Sequence, residues 1–151
     1  MRRKDREKDS AFAYALFKDC EYATLATMNE DFTPYCIPVS PVVIDGSIFF
    51  HCAKEGQKLD NIRRNSDVCI SCVSSVKPVP EKFTTEYCSA VAFGKCEEIN
   101  DRDEKIDVLK VICEKYAYSN MGGFEKEIAE SLGKTCVCKI KITSITGKEN
   151  R

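Results

Sequence analysis

Three groups of side chains in this sequence could carry chemistry: ten cysteines, the single histidine His51, and Lys58, which follows a break at Gly56. Cys69-x-x-Cys72 has the spacing of a metal-ligand pair. Inside a strand, however, residues three apart point to opposite faces, so one ion could not readily take both, and the pair reads as core. Cys136 and Cys138 would share a face and could be joined by a third ligand, but no complete tetrahedral set is visible when His51 is the only histidine. No metal site is expected. His51 stands near the end of a strand-like run, and Lys58 stands at the mouth of a short helical stretch. Free amides at a helix start plus an ammonium make a receptor for phosphate. Spacing alone favours the plainer reading, a strand-end histidine and a solvated lysine.

Missing motifs narrow the remaining chemistry. There is no Gly-x-Gly-x-x-Gly and no Gly-x-x-x-x-Gly-Lys-Ser/Thr, so neither a dinucleotide fold nor a P-loop is supported. No Gly-x-Ser-x-Gly elbow occurs either, and a Ser-His-Asp hydrolase would have to rest on His51 alone. Cysteine-based metal binding or redox sensing stays open as a rival function.

The 151 residues suit one domain spanning 1–151. With 43% hydrophobic and 31% charged residues, the chain can bury a core and keep a solvated surface. Lys+Arg 23 against Asp+Glu 24 leaves a net charge of −1, which offers no surplus positive charge for nucleic acid. The opening MRRKDREKDS has no apolar run, and no stretch approaches the roughly 20 apolar residues of a membrane span. A cytoplasmic location with free thiols is therefore expected, without a membrane or nucleic-acid partner. Most cysteines (Cys69, Cys72, Cys88, Cys136, Cys138) occupy apolar strand positions, where a thiol acts as a small hydrophobe.

Residues 1–9 are charged and read as an exposed, mobile leader. Phe12, Ala13, Leu16 and Phe17 keep helical spacing, which predicts a helix over 10–19. Strands are predicted over 22–28, 34–44, 47–52, 68–76, 87–99 and 135–145, with a tight hairpin at Asp45-Gly46 and an extended linker at Pro78 and Pro80. Short helices are predicted over 58–64 and 124–132, the latter with Gly133 as a left-handed cap. A long helix starts at Asp101, which forms a capping box with Glu104, and runs to about residue 118. Six strands without regular βαβ alternation suggest a mainly β fold, a closed antiparallel barrel carrying helices.

Several blocks together resemble a known family. They are MRRKDRE, Tyr35-Cys-Ile-Pro-Val-Ser40, Asp45-Gly46, the run from Phe49 through His51 and Lys58 to Ile62, and Tyr87-Cys-Ser-Ala-Val-Ala-Phe-Gly94. The pattern is similar to the nitroimidazole-reductase-related (Nim-like) branch of the pyridoxamine 5'-phosphate oxidase-like flavoproteins. That resemblance implies a six-stranded split β-barrel binding flavin mononucleotide (FMN) at a homodimer interface. It implies that Lys58 holds the FMN phosphate with Ser40 as a second contact, and that Pro38 and Val39 line the ring. It further implies that His51, Cys52 and Ala53 meet the flavin at the strand end, and that Ser89 approaches from a later strand. The implied activity is an FMN-dependent oxidoreductase passing electrons from a small-molecule donor to a small acceptor such as a nitroaromatic, with His51 as the candidate proton donor. A non-catalytic flavin carrier or sensor is the alternative. Two departures stand out: Pro38 replaces an arginine of the more distant oxidases, and the basic C-terminal signature for pyridoxal phosphate is missing, so vitamin B6 oxidation is not expected.

Overall fold

Residues whose apolar side chains alternate in and out form strands here, and those strands curl around one apolar core while helices cover a second on the outside. The computed structural model describes residues 2–151. In chain order the elements are β1 Glu7–Lys8, α1 Ser10–Asp19, β2 Ala23–Met28, β3 Pro34–Val39, β4 Val42–Ile44 and β5 Ser47–Ala53. After these come α2 Gln57–Arg64, β6 Asp67–Val79, β7 Thr84–Glu98, α3 Arg102–Tyr116, α4 Phe124–Ser131 and β8 Thr135–Asn150. All ladders are antiparallel, in the order β3-β2-β6-β7-β8-β5-β4, with β1 added to β8. No ladder joins β3 to β4, so the eight-stranded sheet is open, which corrects the expectations of six strands and of closure.

Two departures account for the strand count. The run predicted as one strand over 34–44 breaks at Ser40-Pro41, and its halves go to opposite ends of the sheet. The charged leader is not free: Glu7 and Lys8 pair with Lys148 and Gly147, and the Lys8 ammonium lies 2.8 Å from Glu149. That pairing is available because β8 runs past Ile145 to Asn150. Pro78 also lies inside a strand rather than in a linker, opposite Thr85. It is tolerated because β2 reaches β6 only at Cys69, Ile70 and Ser71, leaving the far half of β6 an edge. The Asp45-Gly46 turn has φ of 47° and 75°, as a primed hairpin turn requires. Gly133 is not left-handed, because α4 tightens into a 3-10 turn over Leu132–Lys134 instead.

Alternation sorts the buried residues into two cores. The inner one combines Phe17 of α1, Leu25, Ile70, Ile48, Phe50, Ile140 and Leu59 of α2. The outer one lies between the far face of β4, β5 and β8 and the pair α3 and α4, around Phe49, Val137, Leu109, Ile112 and Phe124. Asp9 and Asp101 cap α1 and α3 by accepting the Phe12 and Glu104 amides at 2.9 and 2.8 Å. Among the described residues no helix is long and apolar enough to cross a membrane.

The β7 to β8 register slips between Phe93 and Gly94, and there a Cβ on residue 94 would collide with the Lys141 carbonyl. Backbone cannot step aside as a flexible side chain does. Gly94→Ala should therefore lower unfolding free energy by about 3 kcal/mol, the upper range for overpacking, as read by urea denaturation.

Candidate functional site

The strand-end group forms because β5 alternates. Ile48, Phe50 and Cys52 point into the inner core, whereas Phe49 and His51 point toward α3 and α4. His51 borders a small cleft of about 120 Å³ lined by Leu109, Ile112, Phe124, Glu127 and Ile128. The chain then turns at Gly56, whose φ of 130° suits glycine, and enters α2. The Leu59 and Asp60 amides donate to the Gly56 carbonyl. No side chain caps the helix, so the Gln57 and Lys58 amides have no acceptor among the described residues.

Lys58 is half-buried close enough to His51 and Cys52 to act on both electrostatically. Desolvation first, and the Lys58 ammonium second, hold the His51 pKa below its ordinary 6.5. Both effects favour the neutral imidazole form of His51, which keeps a ring N–H for donation. With one histidine in the chain, its proton resonance is unambiguous. An NMR titration should give a midpoint below 6.5 that moves upward in Lys58→Ala; an unmoved midpoint would separate the two groups.

Beside this group the backbone is unsatisfied. β3 pairs only with β2, and β5 beyond Phe49 pairs only with β8, so Pro34–Val39 and the 50–53 stretch each keep an open edge. Both strands send side chains into the same inner core, which places these edges on the border of the sheet's opening.

A second group lies on the outer face. Pro38, Thr24, Ser71 and Val91 form one cross-strand row, and Cys36, Ala26, Cys69 and Phe93 form the next. Val73 and Ser89 pair one step further on. This face is apolar and open, with Val73 57% and Phe93 52% exposed. Ser89 stands nine residues from Glu98, the β7 position that meets α2 through Arg63. At about 3.3 Å per residue that is roughly 30 Å along the strand.

The structure therefore brings His51, Cys52, Ala53 and Lys58 together, and places Pro38 and Ser89 on a separate outer face. The Val39 and Cys52 side chains turn into the inner core, which leaves only their backbone for a ligand. Ser40 sits half-buried at the junction to Pro41, whose carbonyl accepts from the Lys115 ammonium and the Tyr116 hydroxyl, both at 2.8 Å.

Two features escaped the sequence reading. Asn61, fully buried on α2, donates to Thr27 Oγ1 at 3.0 Å and Asn29 Oδ1 at 2.9 Å, and accepts from Gln57 at 3.0 Å. It pins the start of α2 to the end of β2. Asn61→Ala should cost about 2 kcal/mol, because Thr27 and Asn29 lose a buried partner. An amide side chain directly before Ile62, on the apolar side of a short helix, was the available signal. The other feature is a thiol cluster: Cys52 faces Cys136 across the β5–β8 ladder, and Cys52, Cys136 and Cys138 bring their sulfurs within 4.8 Å of one another.

Comparison with known proteins agrees with this architecture. The sequence model of the family described as pyridoxamine 5'-phosphate oxidase matches residues 9–149. No curated protein matches the chain. Among solved structures, a candidate 5-nitroimidazole antibiotic resistance protein from Bacteroides thetaiotaomicron superposes with a TM-score of 0.77 at 23% identity, over 94% of this chain and 84% of that one. A conserved hypothetical protein from Mycobacterium tuberculosis gives 0.85 at 19% identity over 99% and 89%. An FAD-binding protein from Mesorhizobium loti gives 0.71 at 16% identity over 97% and 98%. At these identities the likeness is one of fold.

Proposed function

Since the match over residues 9–149 makes this chain a member of the pyridoxamine 5'-phosphate oxidase family, we propose that it is an FMN-dependent oxidoreductase of the nitroimidazole-reductase-related branch, acting as a homodimer. The observation that carries this reading is the opening between the unpaired edges of β3 and β5, with Lys58 and the uncapped start of α2 beside the β5 end. A flavin needs a flat slot, hydrogen-bonding groups along one edge of its ring, and positive charge at its phosphate. The residues present fit each need.

Lys58 and the Gln57 and Lys58 amides would bind the phosphate. Because Pro38 brings no charge and no N–H, anion binding falls on Lys58. Backbone groups of Val39, His51, Cys52 and Ala53 would orient the ring edge, and Pro38 would supply an apolar contact. Ser40, at the end of β3, is the second polar contact. When bound, FMN supplies the electron transfer between a small donor and a small acceptor. His51, whose neutral form its surroundings favour, would hold the acceptor through its ring N–H in the cleft under α3 and α4.

The separation between Ser89 and the strand-end group supports a dimer in which the second copy brings Ser89 to the flavin. The open apolar face around Val73, Val91 and Phe93 is the surface that such a copy would cover. The test of the catalytic reading is anaerobic. FMN-loaded protein is photoreduced and mixed with a nitroimidazole, and reoxidation faster than that of free reduced FMN is expected. Indifference to that compound and to a wider panel of acceptors would leave a flavin carrier instead.

A further inference from the structure

On the inner face of the sheet, two neighbouring strands bring three sulfurs together, and the next strand sets a carboxylate beside one of them. Cys136 and Cys138 lie two apart on β8, Cys52 opposes Cys136 on β5, and Glu98 opposes Cys138 on β7. The Cys136 and Cys138 sulfurs are 3.9 Å apart, and the three sulfurs lie within 4.8 Å of one another. Glu98 Oε2 is 3.3 Å from the Cys136 sulfur. Cys136 and Cys138 are buried and Cys52 is half-buried.

We propose that Cys52, Cys136 and Cys138 form a binding site for a thiophilic divalent ion of the Zn²⁺ type, with Glu98, beside Cys136, closing the fourth position when the ion binds. Tetrahedral coordination with metal–sulfur bonds of about 2.3 Å puts the sulfurs about 3.8 Å apart, and a carboxylate oxygen at about 2.0 to 2.2 Å falls about 3.5 Å from each sulfur. The three sulfurs, mutually within 4.8 Å with one pair at 3.9 Å, are near that spacing, while Glu98 now touches Cys136 alone and would swing toward the ion to complete the set. Three soft donors exclude Mg²⁺ and Ca²⁺, which take oxygen. Arg63 forks onto Glu98 at 2.6 and 3.0 Å, so it orients the carboxylate and offsets part of the negative charge that the thiolates add. The three thiol protons leave to solvent as the ion enters, and no oxidant or reductant is needed. An ion here would tie β5 to β8 and β7 beside the strand end that carries His51. The site uses the Cys52 side chain, while the flavin reading uses only its backbone, so either reading can fail without the other.

The probe is Co²⁺, added anaerobically to the reduced, metal-free full-length protein. Expected are a sulfur-to-cobalt charge-transfer band and the intense visible bands of tetrahedral cobalt, saturating at one ion per chain and displaced by Zn²⁺. Cys52→Ser, at the half-buried position, should weaken binding by more than about 100-fold, beyond the loss of a supporting contact. Glu98→Gln should keep the charge-transfer band, shift the visible bands and lower affinity at least about 10-fold. Absence of these bands in the folded wild-type protein would overturn the site, as would bands unchanged in Cys52→Ser. A Cys52–Cys136 disulfide that persists under the reducing conditions, seen by mass, would also overturn it.

Discussion

Lys58→Ala should weaken FMN binding about 30- to 100-fold while leaving the protein folded. Lys58 is the one ammonium proposed at the phosphate, and a charge-assisted hydrogen bond contributes about 1.5 to 3 kcal/mol. At about 1.4 kcal/mol per factor of ten, about 2.1 to 2.8 kcal/mol, within that range, gives the stated loss. Lys58 is half-buried at the first turn of α2, and Leu59 and Ile62 hold that helix on the core, so little stability depends on the ammonium. Riboflavin, which has no phosphate, should bind the variant and the wild type equally. Fluorescence titration of both ligands separates an anchor from a structural residue. Equal FMN affinity in wild type and variant would remove Lys58 from the site.

The second large effect concerns the outer face. If the proposed dimer forms through this face, Phe93→Asp should leave the chain a monomer and reduce FMN affinity by more than about 100-fold. In a two-fold interface the substitution occurs twice, and each unpaired carboxylate placed under a partner costs about 3 to 5 kcal/mol. Phe93 is 52% exposed in the single chain, so the same change leaves the inner core intact. Sedimentation velocity at micromolar protein reads the assembly directly. A variant that still sediments as a dimer would move the interface elsewhere, and a dimer-free variant with full FMN affinity would put the whole flavin site in one chain.

Local signals made most of the fold legible. Phe12, Ala13, Leu16 and Phe17 located α1, Asp101 and Glu104 located the start of α3, and Asp45-Gly46 located the hairpin, because each is decided by residues close in sequence. The errors fall where a distant partner decides. The charged leader becomes β1 only because β8 offers it an edge, and Pro78 stays in a strand only because β2 ends short of it. The break at Ser40-Pro41 was hidden in an apolar run that looks continuous, although its halves belong to opposite ends of the sheet. The same distinction holds for the site. His51, Cys52, Ala53 and Lys58 are neighbours in sequence and remain neighbours in space. The sulfur cluster needed the β5–β8 register, since nothing in the spacing of Cys52 to Cys136 announces that they face each other. Side-chain direction was equally hidden: Cys52 and His51 are adjacent, yet one enters the core and the other the cleft under α3 and α4.

An equilibrium titration of FMN into the purified chain, followed by quenching of flavin fluorescence, bears most directly on the opening between β3 and β5. Saturation at one FMN per chain is expected, with riboflavin binding more weakly because it cannot reach Lys58. Unquenched FMN across the titration, in a sample that is folded by circular dichroism, would contradict it.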